Sequence, residues 1–286
     1  MRRLILLMAA MGASVLLVSG VAYALTIQCG DAGDQDPNPG LCLGTQDDDE
    51  ITGTNQPDVI RALGGFDYVS AGARPDELRG GDLGDDLYGD QGNDTYFGGD
   101  GADYLSEYGN FEDARSGADV MYGGDGPDSL QGNAGNDVLK GQAGDESEAG
   151  DPTDTVMFGD EGNDKLYGGT GDDAMEGEEG ADQHYGGPDN DFIDVAANES
   201  LATDAPDTVD CGDGIDTALV LPNDTVEENC EHVFNVFPGN NVVAAASKGG
   251  VDADQRRLEE RFREKRAADR QPEKSGNIPK VRTEAG

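Results

Sequence analysis

Aspartates stand nine residues apart at Asp49, Asp58, Asp67, Asp76, Asp85, Asp94 and Asp103. The spacing returns at Asp119, Asp128 and Asp137, and again at Asp164, Asp173, Asp182 and Asp191. Most follow a glycine-rich stretch, as in Gly98-Gly99-Asp100-Gly101-Ala102-Asp103. Stacking the units would place equivalent carboxylates side by side, and carboxylates that close repel unless a cation lies between them. Carboxylate oxygens and the carbonyl oxygens of glycine turns are hard donors. They suit Ca2+, which takes about six to eight oxygen ligands in flexible geometry. Mg2+ demands stricter geometry and gives up its water reluctantly, so calcium is the expected ion.

With aspartate as the sixth residue of a nonapeptide, units start at Gly44, Gly53, Ala62, Ala71, Gly80, Gly89 and Gly98. After an interruption at 107–113 they resume at Ala114, Gly123, Gly132, Gly141, Gly150, Gly159, Gly168, Gly177 and Gly186, sixteen units in all. The eighth residues of the first block are Ile51, Ile60, Val69, Leu78, Leu87, Tyr96 and Leu105. Those of the second are Met121, Leu130, Leu139, Glu148, Met157, Leu166, Met175, His184 and Ile193. Glycine at positions 1, 2 and 4 permits positive φ and close backbone approach. Positions 7 to 9 read as a short strand with the eighth side chain inward. One unit buries little by itself. Stacked units, about 4.8 Å apart, form a ladder with a thin aliphatic spine.

The pattern weakens at 141–158, where Glu146 and Thr155 hold the sixth places and Glu148 an apolar slot. That patch reads as a distorted turn or local loop-out, with Asp154 serving as the sixth residue after a one-residue slip. A second gap, 195–201, precedes two degenerate units, Ala202 with Asp207 and Val209, and Cys211 with Asp216 and Ala218. The following "LPNDTVEENCEHVFNVF" reads as an end cap.

The whole chain carries 60 Asp+Glu against 19 Lys+Arg, a formal charge of −41, and is 35% hydrophobic with no Trp. Such a composition signals disorder unless a cation neutralises the carboxylates. It also argues against nucleic acid as a partner, because phosphates would be repelled. Arg2 and Arg3, an apolar run from Leu4 to about Val18, and Ala22-Tyr23-Ala24 read as an export signal cleaved after Ala24. An uncleaved anchor is the alternative, and no other stretch is apolar enough to span a membrane. Four cysteines in an exported chain favour disulfides, and local pairing, Cys29–Cys42 and Cys211–Cys230, closes the shortest loops. Zinc is the other reading, but C-x-x-C spacing is absent and the only histidines are His184 and His232.

The phrases "GGDGADYLS", "GGDGPDSLQ", "GNAGNDVLK" and "GDEGNDKLY" resemble the RTX calcium-binding nonapeptide G-G-x-G-x-D-x-U-x over roughly residues 44–194. The resemblance implies an all-β fold, a right-handed parallel β-roll with two units per turn. It also implies multiple Ca2+ ions between units n and n+2, held by sixth-position side chains and turn carbonyls. Carried onto this sequence, the side-chain ligands are Asp76, Asp85, Asp94, Asp103, Asp119, Asp128, Asp137, Asp164, Asp173, Asp182 and Asp191. The carbonyls lie near Gly89, Gly98, Gly123, Gly132, Gly159, Gly168 and Gly177. Asp49, Asp58 and Asp67 are weaker, since "GTNQPDVIR" and its neighbours lose most glycines. Asp94 and Asp103 fall on opposite edges, pairing with Asp76 and Asp85. Pairing n with n+2 inside each block allows twelve sites, four of them touching units 141 or 150.

The domain reading is a signal peptide (1–24), an N-terminal cap (25–43), repeat blocks at 44–106 and 114–194 around an insertion loop (107–113), a C-terminal cap (195–234) and a charged tail (235–286). From Lys248 the tail carries 11 Lys+Arg against 8 Asp+Glu, and a marginal helix followed by disorder is expected there. Aromatic residues recur at position 9 (Tyr88, Phe97, Tyr122, Phe158, Tyr167, Tyr185), facing outward as flank shielding or as a glycan- or surface-binding stripe. His184 reads as a core substitution. No H-E-x-x-H, G-x-S-x-G or Ser/His/Asp arrangement is present, and in-phase carboxylates are better metal ligands than an acid–base pair. The expected protein is a secreted, non-enzymatic calcium-binding β-roll that folds on meeting extracellular Ca2+. A calcium-rigidified adhesin or matrix module binding glycans or the cell surface, and a hydrolase with an unrecognised site, are the alternatives; cell-envelope association is the alternative to free secretion.

Overall fold

The computed structural model describes residues 25–30, 41–107, 117–143, 156–196, 205–237 and 241–247. The export signal, most of the 107–113 loop, Glu148, Asp154, Thr155 and the tail beyond 247 lie outside them. Among the described residues every element is a strand. Successive strands alternate between a twelve-stranded and a ten-stranded sheet, so each strand pairs with the next but one. The register is parallel at every repeat: Ile51 lies opposite Val69, Val69 opposite Leu87, and Leu87 opposite Leu105. The two-unit turn of a β-roll is thus an offset of eighteen residues.

Alternation of side chains along each strand places one residue per unit between the sheets. Ile51, Ile60, Val69, Leu78, Leu87, Tyr96, Leu105, Met121, Leu130, Leu139, Met157 and Leu166 are all 0% exposed. Burial of such a side chain stabilises by roughly 1.5–3 kcal/mol, so the core is a single file supported by continuous backbone ladders.

The two interruptions do not break the sheets. Leu105 pairs with Leu130 and Tyr96 with Met121, each at an offset of 25, so the seven extra residues leave the stack at one turn. The second gap behaves in the same way, with His184 opposite Val209 and Ile193 opposite Ala218. At the irregular patch the offset is 27, with Leu139 opposite Leu166 and Leu130 opposite Met157. One whole unit is therefore excluded from the ladder, and the strand Val156–Phe158 resumes it in phase. The n/n+2 pairing expected inside each block needs correction. It crosses both gaps, and at the patch it runs from unit 132 to unit 159.

Positions 1 and 2 use glycine for different reasons. Position 2 takes positive φ in most turns, by glycine at Gly99 (φ 129) and Gly124 (φ 132), but also by Asp90 (φ 68) and Asn133 (φ 64). Position 1 has no positive φ and is glycine for space, as the candidate sites below require.

Both ends are tied covalently. Cys29–Cys42 joins the strand start Leu25–Gln28 to Leu41–Leu43, and Cys211–Cys230 joins the last full turns, with Cα–Cα distances of 5.4 and 5.2 Å. Residues 235–247, assigned by sequence to a charged tail, instead contain the end of strand His232–Phe237 and all of Asn241–Ser247. These are the final two strands of the larger sheet. Among the described residues no helix is long and apolar enough to cross a membrane.

Candidate metal rows

In most repeat units the sixth-position aspartate directly precedes the strand, and all of those described are buried, from Asp94 at 0% exposure to Asp76 at 5%. They form two rows, one per edge. Asp94 leads into Thr95–Asp100 of the ten-stranded sheet, and Asp103 into Tyr104–Ser106 of the other, so the two lie on opposite edges as expected.

Within a row the carboxylates are wired to the backbone. The Asp76 N–H donates to Asp94 Oδ1 (2.8 Å), the Asp94 N–H to Asp119 Oδ1 (2.6 Å), and the Asp119 N–H to Asp137 Oδ1 (2.7 Å). The same row continues from Asp137 to Asp164, Asp164 to Asp182, and Asp182 to Asp207. On the other edge the donors run Asp67 to Asp85, Asp85 to Asp103, and Asp103 to Asp128, then Asp173 to Asp191 and Asp191 to Asp216. Asp207 and Asp216 were not among the expected ligands. Their sixth-position spacing in the degenerate units was the available signal.

One oxygen of each carboxylate is thereby fixed, and the other points into the turn. Oδ2 of Asp67, Asp76, Asp85, Asp94, Asp103, Asp128, Asp137, Asp164, Asp191 and Asp216 is buried with no hydrogen-bond partner. At seven of the position-1 glycines this oxygen and a carbonyl from the next rung converge on the glycine's open side. A methyl placed on Gly132 would stand 2.7 Å from Asp137 Oδ2 and 2.8 Å from the Gly159 carbonyl oxygen. Gly80, Gly98, Gly123, Gly159 and Gly168 are equivalent, facing the carbonyls of Gly98, Gly123, Gly141, Gly177 and Gly186, and Gly186 faces that of Cys211. Of the expected carbonyls, those of Gly98, Gly123, Gly159 and Gly177 are placed at such cradles. Gly132 and Gly168 instead supply the open side, and at Gly89 the Tyr96 hydroxyl stands beside Asp94 Oδ2 in place of a carbonyl. This is the donor set calcium requires, carboxylate and carbonyl oxygens in a space kept free by glycine.

Burial without a counterion penalises the charged form. Desolvation, reinforced by neighbouring carboxylates, pushes Asp76, Asp85, Asp137 and Asp191 up to about 8 against the opposing backbone hydrogen bonds. Asp94, Asp128 and Asp164 are raised to about 7, and Asp103 and Asp216 to about 6, with desolvation again the main cause. Rows of buried carboxylates that resist ionisation call for positive charge. Among the described residues the Lys and Arg side chains are Arg61, Arg74, Arg79, Lys140 and Lys165.

Residues 43–73, 70–105, 113–145, 150–183 and 158–193 match the family of the RTX calcium-binding nonapeptide repeat. The chain belongs to this family. No curated protein matches it. The RTX repeats bind multiple Ca2+ ions, and the protein is a calcium-binding β-roll.

The first turns of the RTX roll differ from the rest. Asp49 Oδ2 accepts from the Thr45 N–H (2.6 Å) and hydroxyl (3.0 Å), and Asp58 Oδ2 accepts likewise from Thr54 (2.7 and 2.9 Å). Threonine donors there take the place that elsewhere faces the cradle. At the next two units position 1 is Ala62 or Ala71, both 0% exposed, and each methyl takes volume that glycine leaves open beside Asp67 and Asp76.

Position 9 of alternate units forms a ladder on the outer face of the smaller sheet, Arg61, Arg79, Phe97, Tyr122, Lys140, Tyr167 and Tyr185 in register, whereas Tyr88 and Phe158 lie in the larger sheet, so the six aromatic residues do not make one stripe. Phe97 stacks on Tyr122 at 5.0 Å and Tyr167 on Tyr185 at 4.7 Å, while Arg79 and Lys140 lie over the Phe97 and Tyr122 rings. The ring faces are thus occupied by each other and by cations, which matches flank shielding. His184 is fully buried, and desolvation lowers its pKa to about 4, so it stands neutral in the core.

Proposed function

We propose that this RTX protein is exported as an expanded polyanion and folds outside the cell by taking up calcium along both aspartate rows. The observation that carries the reading is the pair of buried carboxylate rows, one oxygen of each rung tied to backbone and the other facing a glycine-kept cradle. The ligands are Asp85, Asp94, Asp103, Asp119, Asp128, Asp137, Asp164, Asp173, Asp182 and Asp191, with the carbonyls of Gly98, Gly123, Gly141, Gly159, Gly177, Gly186 and Cys211. Asp216 extends the row into the cap. Asp49 and Asp58 are served by threonine, and Asp67 and Asp76 contribute less because alanine fills their turns.

Extracellular calcium modules work at Kd values of about 10⁻⁴ to 10⁻³ M, so a cytosol poor in free calcium would leave the chain unfolded for export. Each ion bound only by the folded form adds RT ln(1 + [L]/Kd) to stability. The two disulfides fit an oxidising compartment. The roll acts as a binding and folding module and not as a catalyst, because its repeated carboxylates are committed to the ladder.

Circular dichroism during calcium titration tests this. A cooperative gain of β-signal, reversed by EDTA, is expected below ~10 mM, well above the usual extracellular range. No gain by that concentration defeats the reading.

A further inference from the structure

Glu107 is the first residue of the seven-residue interruption and is 5% exposed. Its place in the roll follows from the ladder. The Gly132 N–H donates to the Phe158 carbonyl and the Gly159 N–H to that of Glu176, each acceptor directly preceding a position-1 glycine, Gly159 or Gly177. The Gly89 N–H donates in the same way to Ser106, so Glu107 occupies position 1 of its turn. At Ala62, Ala71 and Val195 the side chain at this position is apolar. Here it ends in a carboxylate.

The result is a cluster of Asp94, Glu107 and Asp119, all buried, in which one carboxylate oxygen from each lies within 4.8 Å of the other two. Asp94 is 0% exposed, and its Oδ2, which has no hydrogen-bond partner, points toward Gly89. The hydroxyl of Tyr96 also faces Gly89. It accepts from the Gly89 N–H (3.1 Å) and donates to the Ser106 carbonyl (3.4 Å). Tyr96 stands where most other units carry an aliphatic residue, so the core itself brings an oxygen to this turn.

The second interruption supplies a contrast. It has the same length and the same ladder bond, from the Asp182 N–H to Asp207 Oδ1 (2.8 Å). Its position-1 residue is Val195, which is 1% exposed, and the core residue facing Gly177 is the neutral His184. An inserted turn does not by itself gather carboxylates; Glu107 does.

We propose that Asp94, Glu107 and Asp119 form a cation site of a different kind from the repeat cradles, tighter than they are and the first to fill. The proposal rests on the calcium-roll reading and adds a third carboxylate and a specific order of binding. Ligand charge count is what tunes the affinity of oxygen sites across decades. A site with three carboxylates also favours a trivalent ion over a divalent one by Coulomb attraction.

The test is Tb3+ alone titrated into the full chain, read by tyrosine-sensitised emission and by calorimetry. The chain has no Trp, and Tyr96 has its hydroxyl at the site. Expected is an early emission phase complete at the first equivalent, ahead of the β-signal from the remaining sites. Tyr96→Phe keeps its ring beside the site but loses the phenol sensitiser, so early emission falls while early heat persists. Glu107→Gln weakens the early phase roughly tenfold, in line with removal of one ligand charge, and Glu107→Asp weakens it less. β-signal at saturating calcium is unchanged in both Glu107 variants. An early phase equal in wild type and Glu107→Gln overturns the proposal and leaves the roll intact. Absence of calcium-induced β-signal in wild type sinks the calcium-folding reading instead.

Discussion

The backbone N–H of Asp94 meets Oδ1 of Asp119 at 2.6 Å, although 25 residues separate them. The bond has the geometry of its neighbours from Asp76 to Asp94 and from Asp119 to Asp137, each spanning 18 residues. The carboxylate row therefore continues past the interruption. The seven extra residues leave the register in phase, because a slip of one residue would turn Met121 out of the core and its neighbours Val120 and Tyr122 in. An aspartate such as Asp137 thus has two separable roles: its Oδ1 closes the backbone ladder and its Oδ2 faces the cradle.

Substitutions at Asp137 should separate those roles. Asp137→Asn keeps an acceptor for the Asp119 N–H (2.7 Å) but removes the charge. It should raise the calcium midpoint while increasing β-content without metal, since a buried neutral amide costs less than a buried carboxylate. Asp137→Ala also orphans the Asp119 N–H, a loss of about 1–3 kcal/mol, and should lower β-content with and without calcium. Circular dichroism with and without EDTA distinguishes the two, and identical behaviour would refute the division of labour.

Gly98 and Gly99 are neighbours with different duties. Gly99 adopts φ 129, which a side chain resists, and a methyl there would strike the Gly81 carbonyl. Gly98 carries no such backbone demand, but its methyl would lie between Asp103 Oδ2 and the Gly123 carbonyl. Gly98→Ala should therefore act mainly on calcium, weakening the local site by roughly tenfold, on the order of 1.4 kcal/mol. Gly99→Ala should destabilise the roll even at saturating calcium. Thermal melts at several calcium concentrations check this: the Gly98→Ala deficit shrinks as calcium rises, and that of Gly99→Ala does not.

The sequence made the rows and the core file legible because period nine fixes both, and the disulfides because the four cysteines fall in two local pairs. An aspartate at the sixth place and an apolar residue at the eighth suffice to set inside from outside. Glu107 was not legible, since position 1 is defined by the strand Tyr104–Ser106 before it and the interruption hides its phase. The extra nine residues of the 27-residue offset could not be separated from a distorted turn, because Gly141 and Met157 both keep the nine-residue frame while Glu148 between them does not. Strand Asn241–Ser247 was overshadowed by the charge of the residues that follow it. The two duties of glycine look alike in sequence, and φ alone tells them apart.

Reduction of Cys211–Cys230 should move the calcium response more than reduction of Cys29–Cys42. The first closes a separation of 19 residues and the second 13, a small difference in chain entropy, each worth roughly 3 kcal/mol. Position matters more. The Cys211 carbonyl faces Asp191 Oδ2 in the last full cradle, whereas Cys29–Cys42 adjoins turns that threonine already closes. Cys211→Ala with Cys230→Ala should raise the calcium midpoint clearly, while Cys29→Ala with Cys42→Ala should lower thermal stability with little change in that midpoint. Equal midpoint shifts in the two double variants would contradict this assignment.

Acid should substitute for calcium. Desolvation holds Asp76, Asp85, Asp137 and Asp191 at about 8 in the metal-free fold, against an ordinary value of 3.8. A carboxyl raised in this way binds its proton more tightly folded than unfolded. Its contribution to the metal-free roll is complete below the ordinary value and is lost as pH climbs from there through about 8. In EDTA the chain should therefore show β-signal at pH 4 and lose it progressively by pH 8. Calcium acts in the opposite sense, since it needs the ionised carboxylates, so its effect should be largest near pH 8 and fade as protons compete. Paired pH titrations by circular dichroism, one in EDTA and one in calcium, should converge at acid pH and diverge above neutrality. A metal-free chain whose β-signal grows with rising pH would mean that the row aspartates are not buried carboxyls of the kind described.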